Sequence, residues 1–370
     1  MARRDLIVFG EDWGAHPSAT QHLITHLARD RRVLWVNSIG LRRPRIGMKD
    51  ARRAVQKLRQ ASGQSAPPRV PEGLEVLPPL AIPWPGSALA HRANRALLRR
   101  QIAPRSDDLE RPILWASLPT AMAAVEALEP DGVVYYCGDD FAALDGVDHA
   151  PVAALERRLA ARADVVFAAS EELTGRFSGS RAIYLPHGVD TDLFARPAPR
   201  PSDLPEGGPV AGFYGSLSAW LDLDLIAEAA DTLPDWQFVL IGPERTDLSA
   251  LKARANIRLL GPRDHAALPG YLQHWDVSMI PFRDTPQIRA CNPLKLREYL
   301  AAGTPVAVTD FPALAPYRDL LSVHAPQQSY AETLRAALTM TACAPVRRAR
   351  VEAESWAARA RQVANVLEAL

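Results

Sequence analysis

The sequence is poor in cysteine, has no long apolar run and has no excess of charge of either sign. Its three cysteines lack C-x-x-C spacing, which disfavours a disulfide framework or a cysteine zinc site and favours a reducing compartment. No segment approaches the roughly 18 apolar residues of a spanning helix, and the start MARRDLIVFGEDW has too few for a signal peptide. The net charge of +1 argues against a disordered chain or a dedicated nucleic-acid binder. We expect a globular cytoplasmic protein.

Short apolar runs alternate with helical stretches along nearly all of the 370 residues. This alternation is typical of parallel sheets that carry helices on both faces. It is interrupted at 196–209, where five prolines and two glycines predict a linker. The sequence therefore predicts an α/β protein of two Rossmann-like doubly wound domains, 1–195 and 210–345, that face a cleft. Helical spacing over 346–370 predicts a long terminal helix that crosses back to the first domain.

The apolar runs predicted as strands are buried on both faces in such a fold. They begin at Asp5, Arg32, Pro112, Val133, Asp164 and Ala182 in the first domain, and at Val210, Gln237, Ile257, Val277 and Pro305 in the second. Ligands of doubly wound sheets bind outside the carboxyl ends of the strands, so we expect the chemistry in the loops that follow these runs.

The loop and helix after the run VSMIPF carry the strongest local signal. Asn292 and Pro293 are preferred at a helix N-cap and first turn, and Gly303 suits the C-terminal end, so a helix is predicted between them. Its positive end and Lys295 would suit a diphosphate. Glu298 lies on the same face as Lys295 and could accept hydrogen bonds from a ribose. A solvent-facing Lys–Glu pair is an equal alternative from spacing alone.

The run NPLKLREYLAAGTPVAVTDFPAL, with the DVSMIPF before it, resembles the donor-binding segment of GT-B glycosyltransferases of the family-four (group 1) type. YLPHGVDTDLF, GFYGSLSAWLDLDLI and NIRLLGPRDHAALPGYL extend the resemblance over the second domain, and VVYYCGDDF marks the first. The resemblance implies metal-independent transfer of a sugar from a nucleotide-diphosphate sugar, most often a UDP-sugar, with no cofactor. It implies a glycan or lipid-linked acceptor, in cell-surface polysaccharide or glycoconjugate biosynthesis.

The resemblance also implies which residues bind the donor. Glu298 matches the glutamate that holds the ribose, and small residues after the first strand of the second domain let the backbone approach the diphosphate. The full donor set that it implies is Gly215, Ser216, Arg263, Asn292, Pro293, Leu294, Lys295 and Glu298. The family commonly has a second glutamate eight positions before the first, where this chain has Ala290. Retention or inversion of the sugar's configuration is therefore left open.

Carboxylates of the first domain are the candidates for proton transfer. Asp139 and Asp140 follow the strand VVYYC, where a paired carboxylate can have a raised pKa, although either could simply cap a turn. Asp12, in the first strand-to-helix loop, is the next candidate base. The same loop supplies Trp13, Gly14 and His16 as candidate acceptor-binding residues.

No metal site is predicted. Asp222 and Asp224 have D-x-D spacing but fall at the start of a predicted helix, where residues two apart face different ways.

Basic residues are concentrated in two stretches of the first domain, 42–59 and 89–105. The second contains five arginines and no acidic residue, and Trp84 precedes it. The first has apolar residues at helical spacing, namely Met48, Ala51, Val55 and Leu58. A solvated basic face and a nucleic-acid contact are alternatives, but such a surface suits an anionic bilayer, at about 1 kcal/mol per well-placed Lys or Arg. We expect peripheral association with the inner face of the cell membrane and no nucleic-acid partner.

Two other functions fit the same sequence. A nucleotide-sugar epimerase or hydrolase of this fold would need no acceptor. A non-catalytic subunit that binds nucleotide sugar is also consistent with Ala290, because a fold alone does not establish activity.

Overall fold

The computed structural model describes residues 3–15, 18–43, 70–144, 146–340 and 343–370. The chain divides into two compact units. Unit 1 comprises Met1–Pro186 with Arg359–Leu370, and unit 2 comprises His187–Ala358. Each unit is built on its own parallel sheet.

Unit 1 contains a seven-stranded sheet in the order β3-β2-β1-β4-β5-β6-β7, and its described pairings are all parallel. The strands are β1 Leu6–Phe9, β2 Val33–Val36, β3 Leu74–Leu77, β4 Ile113–Ala116, β5 Gly132–Cys137, β6 Val165–Ala168 and β7 Ala182–Tyr184. The helices are α1 Ala19–Leu27, α2 Ala88–Ser106, α3 Met122–Leu128, α4 His149–Arg162 and α5 Glu171–Arg176, with a 3-10 turn at Pro119–Ala121.

The central strands of unit 1 are buried on both faces. Trp35 and Trp115 are enclosed completely, on the two neighbours of β1. Strand order reverses where Leu6 pairs with both Val33 and Ile113, so the loop after β1 lies at the switch point of the sheet.

Unit 2 contains a six-stranded sheet in the order β10-β9-β8-β11-β12-β13, again with parallel pairings. The strands are β8 Val210–Tyr214, β9 Gln237–Ile241, β10 Ile257–Gly261, β11 Val277–Ile280, β12 Val306–Val308 and β13 Leu321–Val323. The helices are α6 Thr191–Ala195, α7 Leu223–Thr232, α8 Ser249–Lys252, α9 Leu268–Leu272, α10 Pro286–Ala290, α11 Leu294–Ala302, α12 Tyr330–Leu338 and α13 Ala344–Val351, and 3-10 turns lie at His265–Ala267, Pro312–Leu320 and Glu352–Glu354. The last helix, α14 Trp356–Glu368, begins in unit 2 and belongs to unit 1 from Arg359 onward.

The doubly wound α/β class is confirmed in both sheets. All eleven apolar runs form strands, and β3 and β13 are two further strands that the pattern did not indicate. Both lie at sheet edges, where burial is incomplete: Glu75 interrupts β3 with a polar, exposed position, and β13 has only three residues. These two strands therefore lack the continuous apolar run that marks the central ones.

The predicted terminal helix over 346–370 is divided in the structure. Helix α13 ends at Val351 and α14 begins at Trp356. Between them, the Glu354 carboxylate accepts hydrogen bonds from Arg297 Nε at 2.7 Å and from the Tyr317 hydroxyl at 2.8 Å. These tertiary contacts hold the chain out of a continuous helix. In the described part of the chain, none of the helices combines the length and apolarity needed to cross a bilayer.

The middle of β8 depends on a glycine for packing. Trp275 lies against Gly212 and donates from Nε1 to Ser278 Oγ at 2.9 Å. A Cβ added at Gly212 would overlap the Trp275 ring, and Trp275 is 4% exposed, so the ring has little room to move.

We expect Gly212→Ala to destabilise unit 2 by about 2 kcal/mol, because overpacking a filled core forces side chains and backbone to shift. The midpoint of urea unfolding, followed by tryptophan fluorescence, measures the change. Gly179→Ala is the matched control, since a Cβ there meets no atom within 4 Å. Equal midpoints for the two variants would contradict this packing argument.

Candidate functional site

Two glycines bring the ends of neighbouring strands close together in unit 2. Gly215 follows β8 with φ +138°, and Gly242 follows β9 with φ +143°. A Cβ at Gly242 would overlap the carbonyl oxygen of Gly215, so both the positive φ and the close approach require glycine. A Cβ at Gly215 would lie 3.2 Å from Lys295 Cε. The open side of the Gly215 turn is therefore occupied by the Lys295 side chain.

Helix α11 begins beside this turn. Its N-cap residue is Pro293, and no side chain of the described residues caps its first turn. The predicted role of Asn292 as N-cap is wrong, because the Asn292 side-chain oxygen accepts a hydrogen bond from Arg297 instead. The predicted end is confirmed: Gly303 has φ +87° and terminates the helix in the left-handed conformation. Within the first turn, the Leu296 N–H donates to the Pro293 carbonyl at 3.3 Å, and the N–H groups before it are placed to meet a ligand.

Lys295 presents a cation with no anionic partner in the described part of the chain. Its Nζ lies 5.5 Å from the centre of the Phe213 ring and 5.4 Å from that of Phe282. Burial lowers the pKa of the Lys295 ammonium, while the charge of Glu298 acts in the opposite direction. An ammonium between aromatic rings at a helix start is suited to bind an anion.

Glu298 is 8% exposed, and both of its carboxylate oxygens accept hydrogen bonds. The Tyr214 hydroxyl donates to Oε2, and His265 Nε2 lies 2.8 Å from Oε1. Burial by itself would raise the pKa of Glu298, but the hydrogen bond and charge of His265, with Tyr214 and Lys295, outweigh it and hold the pKa below its ordinary value. The alternative of a solvent-facing Lys–Glu pair is therefore wrong.

The same interaction acts on His265. Burial by itself would lower the pKa of the imidazole, but its hydrogen bond to Glu298 and the charges of Glu298 and Asp190 raise it overall. The site thus combines an ionised carboxylate with a histidine biased toward its charged form. Sequence reasoning missed both His265 and Tyr214. The available signal was their position, since Tyr214 is the last residue of β8 and His265 lies in the loop after β10.

The remaining predicted donor residues take part in local structure. Ser216 Oγ lies 2.8 Å from Ser218 Oγ, and Leu294 is the first residue of α11. Arg263 forms an ion pair with Asp203 at 2.7 Å and donates from Nε to the Tyr271 hydroxyl at 3.0 Å. These contacts fix the loop after β10, and the role of Arg263 in binding a base stays a prediction.

In unit 1, two of the predicted carboxylates hold loops in place. Asp140 is buried. Its Oδ2 accepts a hydrogen bond from Arg176 Nη2 at 2.8 Å, and its Oδ1 accepts one from the Ala142 backbone N–H at 3.0 Å. Asp12 Oδ1 accepts from the backbone N–H of Ser38 at 3.2 Å and from its hydroxyl at 3.0 Å. These two carboxylates are thus engaged in local structure.

Asp139 and Glu11 differ from these two. Asp139 is exposed as a residue, but the surrounding protein removes part of the hydration of the carboxylate. This loss of hydration and the charge of Asp140 raise the pKa of Asp139. Burial raises the pKa of Glu11 as well, to which the charges of Asp139 and Asp12 contribute. Glu11 accepts hydrogen bonds from Ser18 and from Gln21 Nε2, the latter at 3.2 Å. The sequence analysis did not single out Glu11, because its burial is visible only in the fold.

Trp13 and Gly14, which the sequence analysis predicts to bind the acceptor, lie in the loop after β1. The Trp13 backbone N–H donates to Asn37 Oδ1 at 3.0 Å. The Trp13 ring packs edge-on against the Trp35 ring, with the ring centres 4.8 Å apart. The Gly14 N–H donates to Gln21 Oε1 at 3.2 Å. His16 lies outside the described residues.

Asp222 and Asp224 do not converge on one point. Asp222 caps α7 through the Leu225 N–H at 3.3 Å, and Asp224 pairs with Arg283 at 3.3 Å. Among the residues that the structure describes, no group of three or more His, Cys, Asp or Glu side chains is placed to hold a metal ion.

Comparison with solved structures gives the class of fold. Anabaena HepE in complex with UDP and glucose aligns with a TM-score of 0.70 at 15% identity, covering 99% of this chain and 100% of that one. Sucrose-phosphate synthase from Thermosynechococcus elongatus aligns with a TM-score of 0.72 at 16% identity, covering 99% of each chain. The fold is that of the GT-B glycosyltransferases.

Sequence comparison gives the family. Residues 208–339 match the family described as Glycosyl transferases group 1. A Bacillus subtilis protein named as the teichuronic acid biosynthesis glycosyltransferase TuaH is 31% identical over 244 residues, which are 60% of this chain. The match covers 62% of that relative, less than two thirds of its length. The matched segment contains Lys295 and Glu298, and the match agrees with the resemblance seen in the sequence.

We expect His265→Gln to remove a pH-dependent part of the stability of unit 2. Because the folded-state pKa of His265 is raised above its ordinary 6.5, its contribution is complete below that pH and is lost as pH rises through the folded-state value. The lowered pKa of Glu298 keeps its own contribution present above its ordinary 4.5. The difference in unfolding free energy between wild type and variant should therefore be largest between pH 4.5 and pH 6.5.

Urea unfolding at about pH 5.5 and about pH 8.5 measures this difference. Glutamine can still donate to Glu298 but carries no charge, so the variant isolates the charge. His149→Gln, at an exposed position of unit 1, is the control, since it leaves the contacts of Glu298 unchanged. A His265→Gln effect of equal size at both pH values would contradict the assignment.

Proposed function

We propose that the protein transfers a sugar from a nucleoside-diphosphate sugar to a glycan or lipid-linked acceptor, and that the donor is a UDP-sugar. The observation that carries this proposal is the ammonium of Lys295 at the start of α11, one turn before the ionised Glu298 and with no ion pair to any described residue. The proposal is supported by the family of residues 208–339 and by the name of the Bacillus relative, which refers to biosynthesis of a cell-surface polymer.

Lys295 and the first turn of α11 supply positive charge to the diphosphate. Negative charge increases on the departing phosphate as the glycosidic bond breaks, so donors fixed at this position stabilise the transition state more than the ground state. Gly215 has no side chain of its own, so its backbone can approach the same place beside Lys295. This charge comes from the protein itself, and we propose that the reaction needs no metal ion and no cofactor.

Glu298 holds the ribose of the donor. An ionised carboxylate has about four lone-pair positions, and His265 and Tyr214 take one on each oxygen. Two acceptor positions are left for the 2′ and 3′ hydroxyls. His265 and Tyr214 fix the orientation of the carboxylate before the donor arrives, which reduces the cost of ordering it on binding.

The acceptor hydroxyl must lose a proton during transfer, and we assign this role to Asp139, with Glu11 as the next candidate. Both have raised pKa values, as a base that must take up a proton near neutral pH requires. The carboxylates of Asp12 and Asp140 instead hold loops through hydrogen bonds. Trp13 and Gly14, in the loop after β1, are proposed to contact the acceptor. A lipid-linked acceptor would place the reaction at the inner face of the cell membrane.

We expect Lys295→Met to weaken binding of UDP and UDP-sugars by about 10- to 100-fold, the value of one hydrogen bond between charged groups. Glu298→Gln should raise the donor KM by about tenfold and change kcat little, since the ribose does not react. Isothermal titration and initial rates measure the two effects. Asp224→Asn, at an exposed carboxylate, is the control. Unchanged affinity in Lys295→Met would contradict the donor site.

We expect Asp139→Asn to lower kcat by about 10²- to 10⁴-fold, the usual contribution of a general base, while the donor KM stays near the wild-type value. Glu11→Gln is compared in parallel, and a larger loss in that variant would transfer the role to Glu11. Asp131→Asn, at an exposed position of the same unit, is the control. Wild-type rates in both Asp139→Asn and Glu11→Gln would remove both assignments.

Product analysis separates transfer from the other functions of this fold. Sugar found on an added acceptor supports the proposal. An isomerised nucleotide sugar, or free sugar as the only product, would instead identify an epimerase or a hydrolase, and binding without turnover would identify a non-catalytic subunit.

A further inference from the structure

Helix α11 is held at its C-terminal end by helix α13 of the same unit. Arg348 Nη2 donates to the carbonyl of Ala302, the last residue of α11, at 3.0 Å, and Arg347 Nη1 donates to the carbonyl of Gly303 at 3.2 Å. The final carbonyls of a helix have no partner within it and lie at its negative end, so both contacts are favourable. A Cβ added at Gly303 would lie 2.6 Å from Ala344 Cβ, so the two helices meet closely there. The C-terminal end of α11 is therefore fixed.

Arg297 holds the other end of α11. It is buried, and its Nε donates to Glu354 Oε2 at 2.7 Å. Its Nη1 donates to the side-chain oxygen of Asn292, which precedes the N-cap residue Pro293. The planar fork of a guanidinium fixes the angle between two such hydrogen bonds. One side chain thus connects the 3-10 turn Glu352–Glu354 to the place where the chain enters the helix.

Glu354 is anchored by groups other than Arg297. The Tyr317 hydroxyl lies 2.8 Å from each oxygen of the Glu354 carboxylate, and the Val189 backbone N–H donates to the Glu354 carbonyl at 3.0 Å. The centre of the Tyr317 ring lies 5.4 Å from the guanidinium carbon of Arg297, to which the ring is a second partner. Because the side chain and the backbone of Glu354 are both held, Arg297 takes its position from Glu354.

A largely buried ion pair contributes little net stability, since removing both charges from water costs about as much as their attraction returns. Its particular property is direction, because charge-assisted hydrogen bonds are short and geometrically specific. An apolar side chain at position 297 would fill the same space but would leave Asn292 without this donor. The ion pair between Arg297 and Glu354 therefore controls where α11 begins.

We propose that Arg297 and Glu354 are positioning residues for the nucleoside diphosphate. They hold the first turn of α11 where Lys295 and the backbone N–H groups meet the diphosphate. They act through the helix, because Arg297 follows Lys295 by two residues and thus lies about 200° around the helix axis from it. This inference rests on the proposed function and deepens it, since it assigns the geometry of that site to residues that do not touch the donor.

Isothermal titration of the full chain with UDP tests the proposal. Without the ion pair, the first turn of α11 must be ordered when the nucleotide binds, and this ordering lowers the affinity. Glu354→Gln keeps the size of the side chain and one acceptor oxygen but removes the charge. We expect it to raise the UDP Kd by about tenfold, the lower end of what a hydrogen bond between charged groups contributes. The donor KM should rise by a similar factor.

The stoichiometry of the titration separates positioning from stability alone. A variant that is only less stable binds UDP at fewer sites per chain with an unchanged Kd, and that result would overturn the proposal. Tyr317→Phe is a milder change that keeps both charges, and it should raise the Kd by about threefold. If circular dichroism shows that Glu354→Gln does not fold, an unchanged Kd in Tyr317→Phe overturns the proposal instead.

A double variant tests whether Glu354 acts through Arg297. When Arg297→Met is already present, adding Glu354→Gln should change the UDP Kd by less than about twofold, because the interaction between the two side chains is already lost. Losses of affinity that multiply in the double variant would contradict a role exerted through Arg297.

Glu352→Gln is the matched control, because Glu352 is an exposed carboxylate of the same 3-10 turn. Its UDP Kd should equal the wild-type value, and a loss as large as that of Glu354→Gln would overturn the proposal. Lys295→Met in the same titration distinguishes the two proposals. Weaker binding in Lys295→Met with wild-type affinity in Glu354→Gln overturns the positioning role and leaves the donor site in place, whereas unchanged affinity in Lys295→Met contradicts the donor site itself.

Discussion

The enclosed carboxylate of Glu298 is the constraint on which the functional part of unit 2 depends. A carboxylate removed from water is stable in its ionised form only if other groups supply hydrogen bonds and positive charge. Here His265 and Tyr214 bond one oxygen each, and Lys295 adds a charge one turn away. These groups come from three places in the chain: the end of β8, the loop after β10 and the first turns of α11. One carboxylate therefore ties the loop edge of the sheet to the helix that would bind the donor.

Doubly wound topology explains why these elements meet. In both sheets the parallel strands end at the same edge, so loops distant in sequence are brought together there. In unit 2 this edge also needs two glycines, because the backbone of Gly242 contacts the carbonyl of Gly215. In unit 1 the corresponding edge carries Glu11 after β1 and Asp139 after β5. Burial raises the pKa of both carboxylates, and their neighbours Asp12 and Asp140 fix loops through hydrogen bonds.

Much of this could be predicted from the sequence, for identifiable reasons. Buried parallel strands are continuous apolar runs, and Gly303 marks a helix end through its own conformational preference. Lys295 and Glu298 could be paired because they are three residues apart on one helix. The partners of Glu298 could not be predicted, since Tyr214 and His265 lie 84 and 33 residues away in sequence. Asn292 was misassigned for the same reason: Arg297, held by Glu354, takes its side chain away from the helix start.

A crystal structure of the protein with a nucleoside diphosphate tests the central claim most directly. The account predicts diphosphate oxygens within hydrogen-bond distance of Lys295 Nζ and the first-turn N–H groups of α11, with the ribose hydroxyls on Glu298. A nucleotide bound elsewhere, with Lys295 and Glu298 contacting only protein, would contradict it.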